Sequence, residues 1–294
     1  MSSKSALVWI DGRVVPVAEA VVPVTDHGLL YGDGLFEGIR VYAGRVFRLD
    51  DHLARFGAGA RSLALAPPGG LARVREIVLE TARSYGQSEA YLRLVLTRGE
   101  GELGVDPTTC SAPRLFCIVD QVRIHPAEKL ASGLDLLTSS LRRPAADALD
   151  PRVKSLNYLN NVLAKLEARQ RGADEALLLN AAGLVAEAAV ANIFAWLEGE
   201  LVTPPATDGA LEGITRRTVL ELAGDLGLPA REKSLGRFDL LSAAEVFLTG
   251  SGAGLVPVRS LDARVIGAGE PGPVFAKLRA AFLDAAPSLG VPVL

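Results

Sequence analysis

Val153-Lys154-Ser155-Leu156-Asn157-Tyr158-Leu159-Asn160-Asn161-Val162-Leu163-Ala164-Lys165 is the stretch on which the reading of the fold turns. Asp150-Pro151 closes a loop just before it, and an apolar run with helical spacing follows. Lys154 therefore stands where the chain passes from loop to packed element, with apolar neighbours on both sides. Desolvation there favours the neutral amine and makes it usable as a nucleophile or base. A solvated lysine flanking a helix is the plain alternative, and the rest of the chain decides between them.

The chain has 294 residues, enough for one large domain or two ordinary ones. Hydrophobic residues make up 49%, which excludes a disordered or fibrous chain. The formal net charge is -3 and no basic stripe occurs, so nucleic acid is not an expected partner. No apolar run reaches the ~18 residues of a membrane span. Met1-Ser2-Ser3-Lys4-Ser5 carries no apolar signal core, so a cytoplasmic location is expected. Cys110 and Cys117 fit neither a disulfide framework nor a CxxC pair and are expected to be reduced and buried. With His27, His52 and His125 as the histidines, and no H-E-x-x-H, no metal site is expected. A phosphate-binding P-loop is absent as well.

Outward from Lys154 the elements fall into two groups. Leu7 to Pro16 reads as a hairpin turning at Asp11-Gly12, and Val21 to Thr25 continues a strand pattern. Asp26 to Arg40 is glycine-dense, a loop and strand where backbone approaches something closely. Val41 to Phe47 reads as a second hairpin. Asp50 and Asp51 offer N-caps for a helix to about Ala64, and a second helix runs from about Gly70 to Tyr85. Tyr91–Thr97 and Arg114–Val119 read as strands. Beyond them lie a strand at Leu134–Thr138, a helix at Asn157–Gln170, and short strands at 175–180, 185–187, 190–196 and 201–203. A helix at Thr215–Leu226, a strand at Glu245–Thr249 and a closing helix at Pro273–Ala285 follow. This is an α/β (α+β) chain with a small domain over 1–120, a linker over 121–131 and a larger domain over 132–294.

Three further places complement the lysine. In Leu211-Glu212-Gly213-Ile214-Thr215-Arg216 a glycine precedes a helix start, where free N–H groups and the Thr215 hydroxyl can hold an anion. In Leu248-Thr249-Gly250-Ser251-Gly252-Ala253-Gly254 a strand ends in small and hydroxyl residues, a pattern that can form an anion nest or simply turn the chain. Glu187 sits in apolar sequence, where a carboxylate is costly unless paired. An amine, two anion cradles and a carboxylate together match pyridoxal 5'-phosphate: aldehyde, phosphate and pyridine nitrogen.

These motifs, with Asp26-His27-Gly28-Leu29-Leu30-Tyr31-Gly32-Asp33-Gly34-Leu35-Phe36-Glu37-Gly38-Ile39-Arg40, resemble the fold-type IV pyridoxal-phosphate aminotransferases over nearly the whole chain. The resemblance implies a small N-terminal α+β domain, a larger C-terminal domain with a β-barrel-like core, a cofactor in the cleft between them, and a homodimer. It implies that Lys154 forms the internal aldimine and shuttles the proton of the substrate Cα. It also implies that Glu187 faces the pyridine nitrogen, that Tyr158 lies near the ring oxygen, and that Arg55, Ile214, Thr215 and Ser251 bind the phosphate.

Within that family the chain is most similar to the branched-chain amino-acid aminotransferases, which implies ping-pong transfer from hydrophobic L-amino acids to 2-oxoglutarate. Tyr31, Phe36, Gly38 and Tyr91 then shape the pocket, while Arg40 and Arg93 admit glutamate's second carboxylate. The D-amino-acid aminotransferases and aminodeoxychorismate lyases are the alternatives in the family. The Arg-x-His trap of the former is not present after Thr97-Arg98-Gly99. A non-catalytic binding protein on the same scaffold is the alternative outside it. Two departures stand out. Glu187-Ala188-Ala189-Val190-Ala191-Asn192 is more apolar than the family pattern. Thr249-Gly250-Ser251-Gly252-Ala253-Gly254 replaces Thr-Gly-Thr-Ala-Ala-Glu, leaving the N–H groups of Gly252 and Ala253 for the substrate carboxylate and a looser loop.

Overall fold

The computed structural model describes residues 5–122 and 126–293. The elements open with β1 (Leu7–Ile10), β2 (Arg13–Pro16), α1 (His27–Tyr31), β3 (Gly34–Tyr42), β4 (Arg45–Phe47) and α2 (Leu49–Ser62). Next come α3 (Gly70–Tyr85), β5 (Ala90–Thr97), β6 (Arg114–Asp120), α4 (Ala127–Ser132), β7 (Leu134–Arg142) and α5 (Leu159–Gln170). They continue as β8 (Glu175–Leu179), β9 (Val185–Ala188), β10 (Asn192–Leu197), β11 (Glu200–Thr203), α6 (Ile214–Asp225) and β12 (Ala230–Glu232). The chain ends with α7 (Arg237–Ser242), β13 (Glu245–Gly250), β14 (Gly254–Leu261), β15 (Arg264–Val265), α8 (Pro273–Ser288) and β16 (Gly290–Pro292).

Two compact units form. The first holds Met1–Arg123, Val153–Asn157 and Ala285–Leu294; the second holds Ile124–Arg152 and Tyr158–Asp284. The units therefore differ from a single cut over 121–131. Val153–Asn157 belongs to the first unit because β4 covers only the far end of β3, pairing at Val41 and Tyr42. The open edge near Gly34–Phe36 is filled instead by Phe36 N–H donating to the Lys154 carbonyl and Leu156 N–H to the Gly34 carbonyl, both at 2.9 Å. The last residues join it because β16 pairs antiparallel with β4. Part of the expected linker is helical, α4, while His125 lies outside the described residues.

The first unit is a seven-stranded sheet in the order β16-β4-β3-β5-β6-β1-β2. Strand alternation sends Leu35, Ile39 and Val41 of β3 and Leu92, Leu94 and Leu96 of β5 into one core with Leu53 and Phe56 of α2 and Val74, Ile77 and Val78 of α3. The α3 boundaries match the sequence reading, since Gly86 takes the left-handed conformation (φ 63°) that ends a helix. For α2 the start differs. Arg48 holds the N-cap position at φ 45°, and Asp50 and Asp51 lie in the first turn, where their charge complements the helix dipole. Val21–Thr25 is not a strand: Pro23 lacks a donor, and Val21 and Val24 are exposed by 72% and 77%. Cys117 is buried, and burial pushes its thiol up to about 12; Cys110 is only half-buried, and both are free.

The second unit is a nine-stranded sheet, β12-β11-β10-β13-β14-β7-β8-β9, with β15 on β14. β9 and β10 stand five places apart in that order. Five strand spacings are roughly 24 Å in a flat sheet, yet the Ala189–Ala191 turn between them spans at most about 14 Å. Ala188 N–H donates to the Ala191 carbonyl at 2.8 Å, so the sheet has to curl back on itself, giving the barrel-like core. The same turn explains why β10 starts at Asn192 rather than Val190. The helix expected from Asn157 likewise starts later, at Leu159. Strand β14 carries Pro257, a residue that argues against a central strand. It is tolerated because pairing with β7 starts one residue later, at Val258. No helix among the described residues is long and apolar enough to cross a membrane.

Candidate active site

In the first unit, register decides which side chains meet. Gly38 pairs with Arg93 and Arg40 with Tyr91 across β3 and β5, so Phe36, Gly38, Arg40, Tyr91 and Arg93 share the face opposite the core. The Arg93 guanidinium lies 4.3 Å from the Phe36 ring centre and donates to the Tyr91 hydroxyl at 3.4 Å. A Cβ on Gly38 would meet that hydroxyl at 2.0 Å, so the position excludes a side chain. Lys154 is half-buried, and its Nζ lies 4.6 Å from the same Phe36 ring centre. Arg40 is held by Glu89 at 2.8 Å and lies over Tyr42. Tyr31 stands on α1 and accepts the Gly104 N–H at 2.8 Å.

Beneath that face, Glu37 points to the core side of β3, where it is 1% exposed. Arg55 of α2 donates to both its oxygens, Nε to Oε1 at 2.8 Å and Nη2 to Oε2 at 2.7 Å. His52, one turn earlier on α2, lies 2.7 Å from Oε2 through Nδ1. Burial drives the Glu37 carboxyl upward, but Arg55 and His52 outweigh it and bring it down to about 2. An ionised carboxylate only accepts, so His52 Nδ1 carries the proton. Burial, opposed by Glu37, holds His52 below its usual value, so the ring is neutral. Glu37 and His52 carried no signal of this in the sequence, where Glu37 reads as one residue of a glycine-rich motif.

In the second unit, Glu187 sits on β9 with 5% exposure. Its Oε1 is 2.9 Å from Arg143 Nη2; its Oε2 accepts from Leu211 N–H at 3.0 Å and Asn192 Nδ2 at 3.2 Å. A buried carboxylate needs such partners, and here it has them. Helix α6 starts at Ile214 after Gly213, which gives no side-chain cap, so its first N–H groups lack intrahelical acceptors. Thr215 is 1% exposed and its hydroxyl finds no partner among the described residues; the same holds for Thr249. A buried unpaired hydroxyl beside an uncapped helix start suits an anion such as phosphate. Ser251, Gly252 and Ala253 form the turn between β13 and β14, and Tyr158 precedes α5. Arg143 was missed in the sequence, because nothing local links an arginine after β7 to a glutamate on β9.

Gly213 closes this arrangement. A Cβ there would meet Asn192 Oδ1 at 1.9 Å. Gly213→Ala is expected to displace Asn192 from its buried bonds to Glu187 and the Leu211 carbonyl, lower the melting temperature, and weaken retention of phosphate-bearing ligand at least about tenfold. Equilibrium dialysis of the variant checks this.

The first unit sets an amine against an aromatic ring, and the second sets an uncapped helix start near a held carboxylate. The chain belongs to the family described as amino-transferase class IV, whose model matches residues 34–261. It is 44% identical to a putative branched-chain-amino-acid aminotransferase of Methanocaldococcus jannaschii over 286 residues, covering 97% of this chain and 98% of that protein. Among solved structures it resembles the Escherichia coli branched-chain amino acid aminotransferase, with a TM-score of 0.93 and 33% identity over 98% of this chain and 96% of that one. It also resembles the T.th. branched-chain amino acid aminotransferase complexed with N-(5'-phosphopyridoxyl)-L-glutamate, with a TM-score of 0.90 and 36% identity over 98% of this chain and 96% of that one.

Proposed function

We propose that the protein is a pyridoxal-phosphate-dependent aminotransferase that moves the amino group of branched-chain and other hydrophobic L-amino acids to 2-oxoglutarate by a ping-pong reaction. The observation that carries this reading is the placement of Lys154. Its amine stands against Phe36, on the face where Gly38, Tyr91 and Arg93 form an apolar wall with a guanidinium at its edge. That wall takes an aliphatic side chain, and the guanidinium takes a second carboxylate. The ligand of the T.th. enzyme carries a glutamate on the cofactor skeleton, in keeping with this pairing.

Bound pyridoxal phosphate supplies an aldehyde carbon and a ring that accepts an electron pair. In the first unit, Lys154 Nζ takes the proton from the substrate Cα, and Arg55, fixed in plane by Glu37, binds phosphate. In the second, the N–H groups of Ile214 and Thr215 and the hydroxyls of Thr215 and Ser251 bind phosphate, Tyr158 orients the ring oxygen, and Glu187 holds a proton at the ring nitrogen. Gly252 and Ala253 N–H groups orient the substrate carboxylate. Tyr31 and Arg40 complete the substrate set.

A homodimer and a cytoplasmic location belong to the same proposal. Leu159, Val162, Leu163 and Leu166 form one stripe on α5 and are 43–69% exposed, which suits a second copy of the chain.

Half-reactions followed by absorbance test the function. L-leucine, L-isoleucine and L-valine are expected to convert the yellow enzyme and 2-oxoglutarate to restore it. Conversion by D-alanine instead marks a D-amino-acid aminotransferase, and pyruvate release from aminodeoxychorismate marks the lyase. A colourless protein that takes up no cofactor refutes the reading.

A further inference from the structure

Glu187 is not held by backbone alone. Arg143 Nη2 reaches its Oε1 at 2.9 Å, and the arginine is itself fixed on two more sides. Its Nη1 donates to Asn161 Oδ1 at 3.1 Å and its Nε to the Gly209 carbonyl at 3.2 Å. Asn161 is anchored in turn by donating to the Ala189 carbonyl at 2.6 Å. Gly209, at φ 105°, packs against the arginine stem: a Cβ there would sit 3.2 Å from Arg143 Cγ and 3.4 Å from Ala186 Cβ. Arg143 and Glu187 side chains are 11% and 7% exposed, so the pair lies largely out of water.

A guanidinium stays charged at any working pH, and an opposite charge this near favours the carboxylate anion. Without it, burial favours the neutral acid. A proton shared between a buried carboxyl and a ring nitrogen goes to the partner that binds it more strongly. Lowering the carboxylate's proton affinity moves that proton onto the ring.

We propose that Arg143 is a positioning residue that keeps Glu187 anionic and thereby keeps the pyridine nitrogen of the cofactor protonated. This rests on the reading that the chain binds pyridoxal phosphate with Glu187 at the ring nitrogen. The ligand toward which Arg143 acts is therefore a protonated heteroaromatic nitrogen. The electron-accepting strength of the ring is set by a residue that does not touch it.

The test is 15N NMR of the full-length protein reconstituted with pyridoxal phosphate labelled at the ring nitrogen, alongside steady-state kinetics. The unaltered protein is expected to keep the protonated-ring resonance from about pH 6 to pH 9, between the ordinary carboxylate and guanidinium ranges. A midpoint inside that window overturns the proposal, whatever the variants do. In Arg143→Met the resonance is expected to move toward the unprotonated position. kcat should fall on the order of a hundredfold with KM within threefold, and Arg143→Lys should restore part of both. An Arg143→Met protein that binds cofactor and keeps the protonated resonance overturns the proposal. Glu187→Gln gives the reference position for a ring without its carboxylate. Failure of the unaltered protein to take up the labelled cofactor refutes the underlying reading instead, so the two failures are distinct.

Discussion

Lys154→Ala is expected to abolish transamination, lowering kcat/KM on the order of 10⁴-fold, the upper range for loss of a positioned acid–base group. The fold should be spared. What ties this segment to β3 is backbone: the Lys154 carbonyl accepts from Phe36 N–H and the Gly34 carbonyl from Leu156 N–H. An alanine keeps both bonds, so the melting temperature should move by no more than a few degrees. The groups at the start of α6 proposed to hold phosphate are untouched, so cofactor should still be retained, without its yellow lysine-dependent absorbance. Coupled assay with L-leucine and 2-oxoglutarate, paired with equilibrium dialysis of cofactor, reads both halves. Turnover within tenfold of the unaltered protein would remove Lys154 from the chemistry.

Glu37→Gln is expected to give the largest loss of stability. The carboxylate takes two bonds from Arg55 and one from His52 in a place with 1% exposure. Neutralising it leaves the Arg55 guanidinium buried without that opposite charge, which costs about 3–5 kcal/mol. The same group predicts acid sensitivity. Its folded value, about 2, lies below the unfolded value of 4.5. The stabilisation, on the order of 3 kcal/mol, is thus full above pH 4.5 and lost as pH falls toward 2. His52 works in the same direction: held below its ordinary value of 6.5, it begins to cost stability once the unfolded chain protonates below that pH. Urea unfolding of both proteins from pH 7 to pH 3 should show the two curves converging as acid removes what the substitution already removed. Parallel curves would mean that the carboxylate does not set the acid limit.

Much of this architecture was legible in the residues. Asp11-Gly12 announced the first hairpin, and the helical spacing of Val74, Ile77, Val78 and Ala82 the extent of α3 and the face that packs on the sheet. Local patterns of that kind need no partner to be recognised. The departures have a common cause, since each depends on something distant in sequence. Val21–Thr25 has the composition of a strand but no neighbouring strand to pair with among the described residues. β14 was hidden by Pro257, which is tolerable only because its ladder to β7 starts one residue on. The site divides the same way. Lys154, Glu187 and Gly213-Ile214-Thr215 stood out by local chemistry. Arg143 and His52 did not, because an arginine after one strand and a histidine on a helix become meaningful only when the fold sets them against Glu187 and Glu37.

The pairing of β16 with β4 has a consequence for how the chain is made. Residues 290–292 hydrogen-bond to residues 45–47, so a strand at the edge of the first sheet is supplied by a stretch synthesised long after the strands it flanks. Lys154 is likewise brought to that sheet by a short insert, Val153–Asn157, long after β3 has emerged. On a ribosome the first unit therefore cannot finish folding ahead of the second, unlike the usual N-terminus-first order of multidomain chains. A fragment ending at Arg123 would carry Phe36, Arg55 and Arg93 but neither the closing strand nor the amine. The two units have separate cores but are not separate products of translation, because the first draws residues 153–157 and 285–294 from either side of the second.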